Sequence, residues 1–209
     1  MEWLYPVLLF LVSYLFGSFP SAFLLTKWVH KEDIRKMGTG NVGALNVLRS
    51  TKNFFLGSVV FLLDMFKGWL PAWYFTVVLH AEYNVLLVVV FGVLLGHVHP
   101  VWLKGRGGRG LAVTGGALLA AKPILVAVWL VLWMIFFYLF RKYVVATLVA
   151  TFLLPLIVFF TTDWLFSREV LLMILPVSML IFFRHLEGVF ELIRTADVSP
   201  KAKESKHDT

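Results

Sequence analysis

The chain has 209 residues, of which 60% are hydrophobic and only 15% charged, with a formal net charge of +7. Soluble domains carry roughly 25% charged residues, and here apolar runs recur along nearly the whole length, so a separate soluble domain is excluded and a helical bundle in lipid is predicted. There are no cysteines, which removes a disulfide framework, a cysteine nucleophile and cysteine-ligated zinc or iron–sulfur clusters. A pI near 9.7 invites nucleic acid as a partner. However, no lysine run stands apart from an apolar segment, and positive charge in a membrane protein is explained first by loops held in the cytoplasm.

Taken in order, the apolar segments fall at residues 3–26, 54–79, 85–102, 111–121, 123–140, 143–160 and 167–183. The first has Glu2 as the only charge before it and is long for a signal-peptide core, so it reads as a true span ending at Lys27. Six of the seven approach the roughly 20 residues a membrane helix needs. The fourth, with Gly115 and Gly116, is short enough to be a re-entrant loop. Lysine and arginine decide between these. With seven spans, sixteen basic loop residues face one side and only Lys122 and Arg168 the other, whereas a re-entrant fourth segment divides them eleven to seven. The positive-inside rule therefore predicts seven transmembrane helices, with the N-terminus outside and the C-terminus cytoplasmic. Residues 1–196 form one membrane domain, and the polar stretch 197–209 is expected to be a disordered cytoplasmic tail without chemistry.

Three clusters converge on the predicted cytoplasmic side. The first is Gly38-Thr-Gly-Asn-Val-Gly-Ala-Leu-Asn-Val-Leu-Arg49. Its glycines fit the dinucleotide fingerprint by spacing, but the lead-in from Lys31 to Lys36 is charged rather than an apolar strand, so that match fails. What survives is a glycine loop running into a helix near Ala44, whose backbone N–H groups suit an anion. Thr39, Gly40 and Asn41 lie in the loop, and Asn46 and Arg49 share one helix face. The bland alternative is a capped loop with a topology-setting arginine.

The second cluster is Gly96-His-Val-His-Pro-Val-Trp-Leu-Lys-Gly-Arg-Gly-Gly-Arg-Gly110. Lys104, Arg106 and Arg109 are interleaved with Gly105, Gly107, Gly108 and Gly110. No Lys-Ser/Thr follows, so it is not a P-loop. Arginine grips phosphate bidentately and stays charged, which favours a phosphate site over a flexible basic loop at the headgroups. His97 and His99 have no paired carboxylate nearby, and no metal site is expected. The third cluster is Arg184-His-Leu-Glu187, where His185 can donate to phosphate or carry a proton. An arginine stop signal with an incidental histidine would look the same. Inside the second span, Asp64 and Lys67 lie one turn apart and read as an internal ion pair. No Gly-x-Ser-x-Gly elbow and no acidic cluster for two-metal chemistry occurs.

Together these clusters, with Asp64-Met-Phe-Lys-Gly68 between them, resemble the bacterial acyl-phosphate:glycerol-3-phosphate acyltransferases, integral membrane proteins, over residues 17–194. The resemblance implies transfer of a fatty acyl group from acyl phosphate to the sn-1 hydroxyl of glycerol 3-phosphate. Lysophosphatidic acid and phosphate would be the products, made for phospholipid synthesis. It implies a multi-pass protein of the bacterial inner membrane, read here as a monomer, with its site facing the cytoplasm. The partners would be acyl phosphate, glycerol 3-phosphate and membrane lipids, with no nucleic acid and no cofactor. Carried over, His185, Arg49 and Asn46 take the catalytic positions. Thr39, Gly40, Asn41, Lys104, Arg106, Gly107, Gly108, Arg109 and Gly110 bind phosphate. Asp64, Lys67, His97, Arg184 and Glu187 support them.

The chain departs from the family pattern at Leu45, Val113, Gly105, Glu191 and the two loop arginines, and at Gly188, where the family has asparagine. An amide at 188 would donate to the carbonyl oxygen as charge develops, an interaction worth roughly 2.7–4 kcal/mol in an oxyanion site. Glycine lacks it, so the sequence predicts slow turnover that Gly188→Asn would raise. The alternative of another class is a non-catalytic phosphate-ligand binder or transporter. It would place broken helices and inverted repeats at mid-membrane, and no repeat is evident in the sequence.

Overall fold

The computed structural model describes residues 4–204, with side chains from Leu4 to Phe190. It is all-helical: α1 (Leu4–Gly17), α2 (Ser21–His30), α3 (Ala44–Thr51), α4 (Phe54–Trp73), α5 (Tyr83–Val98), α6 (Leu111–Ala121), α7 (Pro123–Phe140), α8 (Tyr143–Phe160) and α9 (Arg168–Glu204). Six segments among the described residues are long and apolar enough to cross a membrane, one of them formed by α1 and α2 together. The segment whose status the sequence left open, α6, is a continuous helix of 11 residues. At 1.5 Å per residue it is about 16 Å long, well short of a hydrocarbon core of roughly 30 Å. The polar tail expected from residue 197 lies beyond the described side chains.

The first apolar run is not one helix. It stops at Gly17 and restarts at Ser21, and the carbonyl groups freed at the break need partners that lipid cannot supply. The bundle supplies them: the Ser18 N–H donates to Tyr14 O (2.8 Å), and Lys67 Nζ on α4 donates to Phe19 O (3.0 Å). Further along, α4 carries Pro71 within it and ends in a π-helical turn, Tyr74–Val78. A proline removes one N–H and crowds the preceding turn, and a wider turn is a usual local answer.

Two contacts set the bundle, α4 against α6 and α1 against α5, and glycine makes both close. A Cβ at Gly68 would overlap Val113 O on α6, and one at Gly116 would overlap Met65 O on α4. Gly96 is likewise seated on Tyr14 O and Gly17 on the Val93 backbone. Lipid is as apolar as leucine, so membrane helices gain by close backbone approach rather than by hiding from water. The larger core joins α5, α6, α8 and α9 through Leu94, Val98, Leu118, Leu154, Met173, Ile174 and Val177. A smaller one, Ala22, Ile34, Val42, Val47, Leu56, Val60 and Leu103, underlies the first glycine loop. Helix α7 buries only Leu125 and is tied to α8 by Trp129 Nε1 donating to Thr151 Oγ1 and Trp133 Nε1 to Thr147 Oγ1, each 3.1 Å.

Gly115 and Gly116 are adjacent but face opposite ways, since nothing lies within 4 Å of where a Cβ at Gly115 would stand. Gly116→Ala should therefore destabilise the protein by about 1–3 kcal/mol, the range for overpacking. Gly115→Ala should not, and it gains helix propensity. Thermal unfolding in detergent would distinguish them, with a lower Tm for Gly116→Ala alone.

Candidate active site

The first glycine loop is built around one amide. Asn46, 4% exposed, donates through Nδ2 to Met37 O (3.0 Å) and Asn41 O (2.9 Å). Its Oδ1 accepts from the Thr39 N–H (3.0 Å), Thr39 Oγ1 (3.2 Å) and Ser50 Oγ (3.2 Å). Every hydrogen-bonding direction of the side chain is thus engaged by the loop and the next turn of α3. Gly38 and Gly40, at φ of +55° and +70°, supply the left-handed backbone that wraps the loop around it. Asp33 and Arg35 pair beside the loop at 2.6 Å, and the Arg35 side chain holds the Asp33 carboxyl below its ordinary range.

The second glycine loop closes onto the end of α5. The N–H groups of Gly105, Arg106, Gly107 and Gly108 donate to Pro100 O, Leu103 O, Val98 O and His97 O at 3.0–3.2 Å. These donors were expected to face an anion; they are used instead to satisfy carbonyls at a helix end. Gly107 and Gly108 serve by having no side chain: a Cβ on either would overlap His97 or its carbonyl. Gly110, at φ +87°, turns the chain into α6.

Beneath this loop the internal ion pair is present and has company. Lys67 Nζ lies 2.8 Å from Asp64 Oδ1, Ser21 Oγ donates to the same oxygen at 2.5 Å, and His97 Nδ1 stands 3.8 Å from it. Asp64, Lys67 and His97 are all buried.

The three clusters meet in one pocket of about 370 Å³. Arg35, Thr39, Gly40 and Asn41 line it from the first loop. Gly105, Arg106, Gly107 and Arg109 come from the second, and Arg184, Glu187 and Gly188 from α9. Four guanidinium groups against one carboxylate make it a site for an anion. Arg184 Nη1 bonds Glu187 Oε2 at 2.5 Å, while its Nε is buried without a hydrogen-bond partner among the described residues. His185, 1% exposed, faces inward from the same turn. Its Nδ1 lies 2.8 Å from Ile181 O; a carbonyl only accepts, so Nδ1 carries the proton, leaving the Nε2 lone pair open when the ring is neutral.

Not every residue singled out lines this pocket. Lys104 is exposed beyond it, and Arg49 is exposed on the last turn of α3. Gly108 and Gly110 pack below it, and Asn46 acts from behind the loop. Arg35, which nothing sets apart within the run Lys31 to Lys36, is in it. Gly188 is occupied in a way the sequence did not suggest. A Cβ there would overlap Nη2 and Cζ of Arg109, whose guanidinium lies directly on the glycine. An asparagine would compete for that space, which removes the premise that Gly188→Asn simply restores a donor.

A second cavity adjoins the first. A groove of about 510 Å³ runs between α4, α6, α7, α8 and α9, lined among others by Phe61, Met65, Leu111, Gly115, Leu118, Trp129, Tyr143, Leu154, Ile174 and Ile181. Leu111 follows Arg109 by two residues, and Ile181 precedes Arg184 by three, so polar pocket and apolar groove are lined by neighbouring residues at the start of α6 and within one turn of α9.

The chain matches the model of a family described as glycerol-3-phosphate acyltransferase over residues 7–195. The chain belongs to that family. Among its relatives, the glycerol-3-phosphate acyltransferase of Pelagibacter ubique is 36% identical, covering 91% of this chain and 95% of its own. That of Wolbachia from Culex pipiens is 33% identical, covering 90% and 94%. Among solved structures, the integral membrane glycerol 3-phosphate acyltransferase PlsY in its glycerol 3-phosphate form superposes with a TM-score of 0.78 at 30% identity, covering 91% of this chain and 92% of that one. The same protein in its lysophosphatidic acid form gives 0.76. The helical bundle described above is thus shared with a solved member of the family.

The hydrogen bonds at Asn46 generate a test. Asn46→Asp keeps the shape and the acceptor but turns oxygen toward two carbonyls, and should cost about 1–3 kcal/mol as unsatisfied buried groups do. Amide exchange across residues 37–42 should speed up relative to the parent, and the difference should shrink as pH falls and the carboxyl, whose pKa burial raises, is protonated and regains a donor.

Proposed function

We propose that this chain transfers a fatty acyl group from acyl phosphate to the sn-1 hydroxyl of glycerol 3-phosphate at the cytoplasmic face of a bacterial inner membrane. The observation that carries the reading is the junction of an arginine-lined pocket with an apolar groove. One substrate is a phosphate on a fatty chain and the other a small phosphate ester, and both products are phosphates. The groove takes the chain, and the pocket takes the phosphates. The hydroxyl oxygen attacks the acyl carbon, the bond from that carbon to the phosphate oxygen breaks, and inorganic phosphate leaves with the hydroxyl's proton.

The mixed anhydride is already activated, so holding the reactants in line supplies a large part of the rate. Fixed cations then stabilise the leaving phosphate where water is scarce. In this reading Arg35, Arg106, Arg109 and Arg184 hold phosphate. Asn46 holds the loop that presents Thr39 and Asn41. His185 Nε2 is placed to accept a hydrogen bond at the base of the site. Arg49 lies outside the pocket, within electrostatic reach of Tyr143 together with Arg109. Lys104 stays at the headgroup level, and no cofactor takes part.

The topology proposed with it has α6 as a seventh, shortened crossing that does not need full length because α4 covers it. The N-terminus is then outside and the glycine loops inside. The chain has no cysteine, so single cysteines report cleanly. Thr39→Cys and Arg106→Cys, both exposed positions, should be shielded from an impermeant thiol reagent in intact spheroplasts, and Glu82→Cys should be labelled. Labelling of Arg106→Cys from outside would break the topology.

Purified protein should release phosphate from a long-chain acyl phosphate only when glycerol 3-phosphate is present. Gly115→Phe, which projects into the groove with nothing to displace, should lower turnover of the long-chain donor at least tenfold while sparing a short acyl phosphate. Equal loss with both donors would show that the chain does not lie in the groove.

A further inference from the structure

Gly188 sits inside α9, where glycine is the weakest helix former short of proline. Four other helix glycines are packed closely for a common reason. At Gly17, Gly68, Gly96 and Gly116 the atoms nearest to a Cβ are all backbone of a neighbouring helix. At Gly188 they are Nη2, Cζ and Nε of one side chain, Arg109. The space is filled by a planar cation that also lines the anion pocket beside Arg184 and Glu187.

We propose that Gly188 is a positioning residue for phosphate recognition, whose missing side chain seats the Arg109 guanidinium flat against α9 and so fixes the direction of its donor edge in the pocket. An arginine reaches the pocket from the second loop on a long flexible stem, and an unconstrained guanidinium would lose entropy with each phosphate bound. Resting it on a bare Cα removes that freedom beforehand, which is the general basis of preorganised binding. Positions 109 and 188 are therefore coupled by size, and the residue at 188 determines whether a guanidinium can serve the site. A lysine at 109, a point charge without the planar fork, would leave space at 188 for a small side chain. The inference rests on the reading of this pocket as the phosphate site.

Gly188→Ala and Gly188→Asn test it in the full-length protein in detergent. The obstructing group is the end of a flexible side chain, so the helix remains intact and Tm does not fall. Glycerol 3-phosphate and acyl phosphate are varied separately. The KM of whichever phosphate Arg109 holds should rise tenfold or more in Gly188→Asn, with a smaller change in kcat. In the Arg109→Lys background the same substitution should cost less than threefold, so that the double variant recovers most of the affinity lost by Gly188→Asn alone. Titration of glycerol 3-phosphate onto the parent, Gly188→Asn, Arg109→Lys and the double variant reads the coupling without turnover. Unchanged KM values for both substrates in Gly188→Asn, equal losses in the two backgrounds, or a gain in kcat from the added amide would each overturn the proposal. A parent protein that neither binds glycerol 3-phosphate nor releases phosphate would overturn the reading of the pocket itself, and the proposal with it.

Discussion

The polar contacts that join α2, α4 and α5 are arranged around one buried carboxylate. Asp64 is paired by Lys67 at 2.8 Å and bonded by Ser21 at 2.5 Å. An ion pair in a membrane interior adds little net stability, because desolvation offsets the attraction, but it fixes geometry, since neither charge can be left alone. Lys67 spends a second donor on Phe19 O, and that bond together with Ser21 holds open the break between α1 and α2. The break brings Ser21 and the start of α2 over α4, and with α2 comes the first glycine loop. His97, 3.8 Å from the same carboxylate oxygen, brings the end of α5, and Gly108 packs onto its ring. One charge thus sets the position of both loops.

The loops themselves show two different uses of glycine. Runs such as Gly105–Gly110 suggest a cradle of free N–H groups, and a helix start behind the first loop suggests a dipole aimed at an anion. In the structure the N–H groups of Gly107 and Gly108 are taken by the last carbonyls of α5 and those of Gly105 and Arg106 by Pro100 and Leu103 just beyond it, while in the first loop the Thr39 N–H is held by Asn46. A helix that ends near the membrane surface must satisfy its last carbonyls locally, and this demand takes precedence over a ligand that is only sometimes present. Anion recognition then falls to the side chains. The frame is made rigid by glycine packing, and the guanidinium groups it carries are what face the pocket.

Much of this was legible in the sequence, for physical reasons. A run of apolar residues has few alternatives to a membrane helix, and paired charges inside one must find each other, so the long helices and the Asp64–Lys67 pair could be read directly. The convergence of three clusters followed from charge asymmetry alone. What escaped depended on tertiary neighbours. The break at residues 18–20 is signalled only by Pro20, inside a stretch otherwise apolar enough to be continuous. Arg35 looked like one of several basic residues before the loop, and only folding turns it, rather than Lys31 or Lys36, into the pocket. Asn46 offered donors and acceptors that sequence reading could assign to a substrate, whereas they are spent on the loop. Arg49 and Lys104 carry the right charge and project elsewhere.

Gly188 shows the limit most clearly. Judged position by position, an arginine at 109 where the family pattern has lysine keeps the charge but not the geometry, and a glycine at 188 is the loss of a functional group. In space the two are one fact, because the volume absent at 188 is the volume a guanidinium occupies. The energetic terms also differ from those a single-position comparison weighs. Glycine in α9 costs roughly 1 kcal/mol of helix propensity, while a preorganised, partly desolvated guanidinium gains more per bond to phosphate than a mobile one. Such an exchange between residues 79 positions apart leaves each motif looking damaged and the site between them whole, so a site of this kind has to be assessed by the volume and charge it encloses rather than by the residues that spell it.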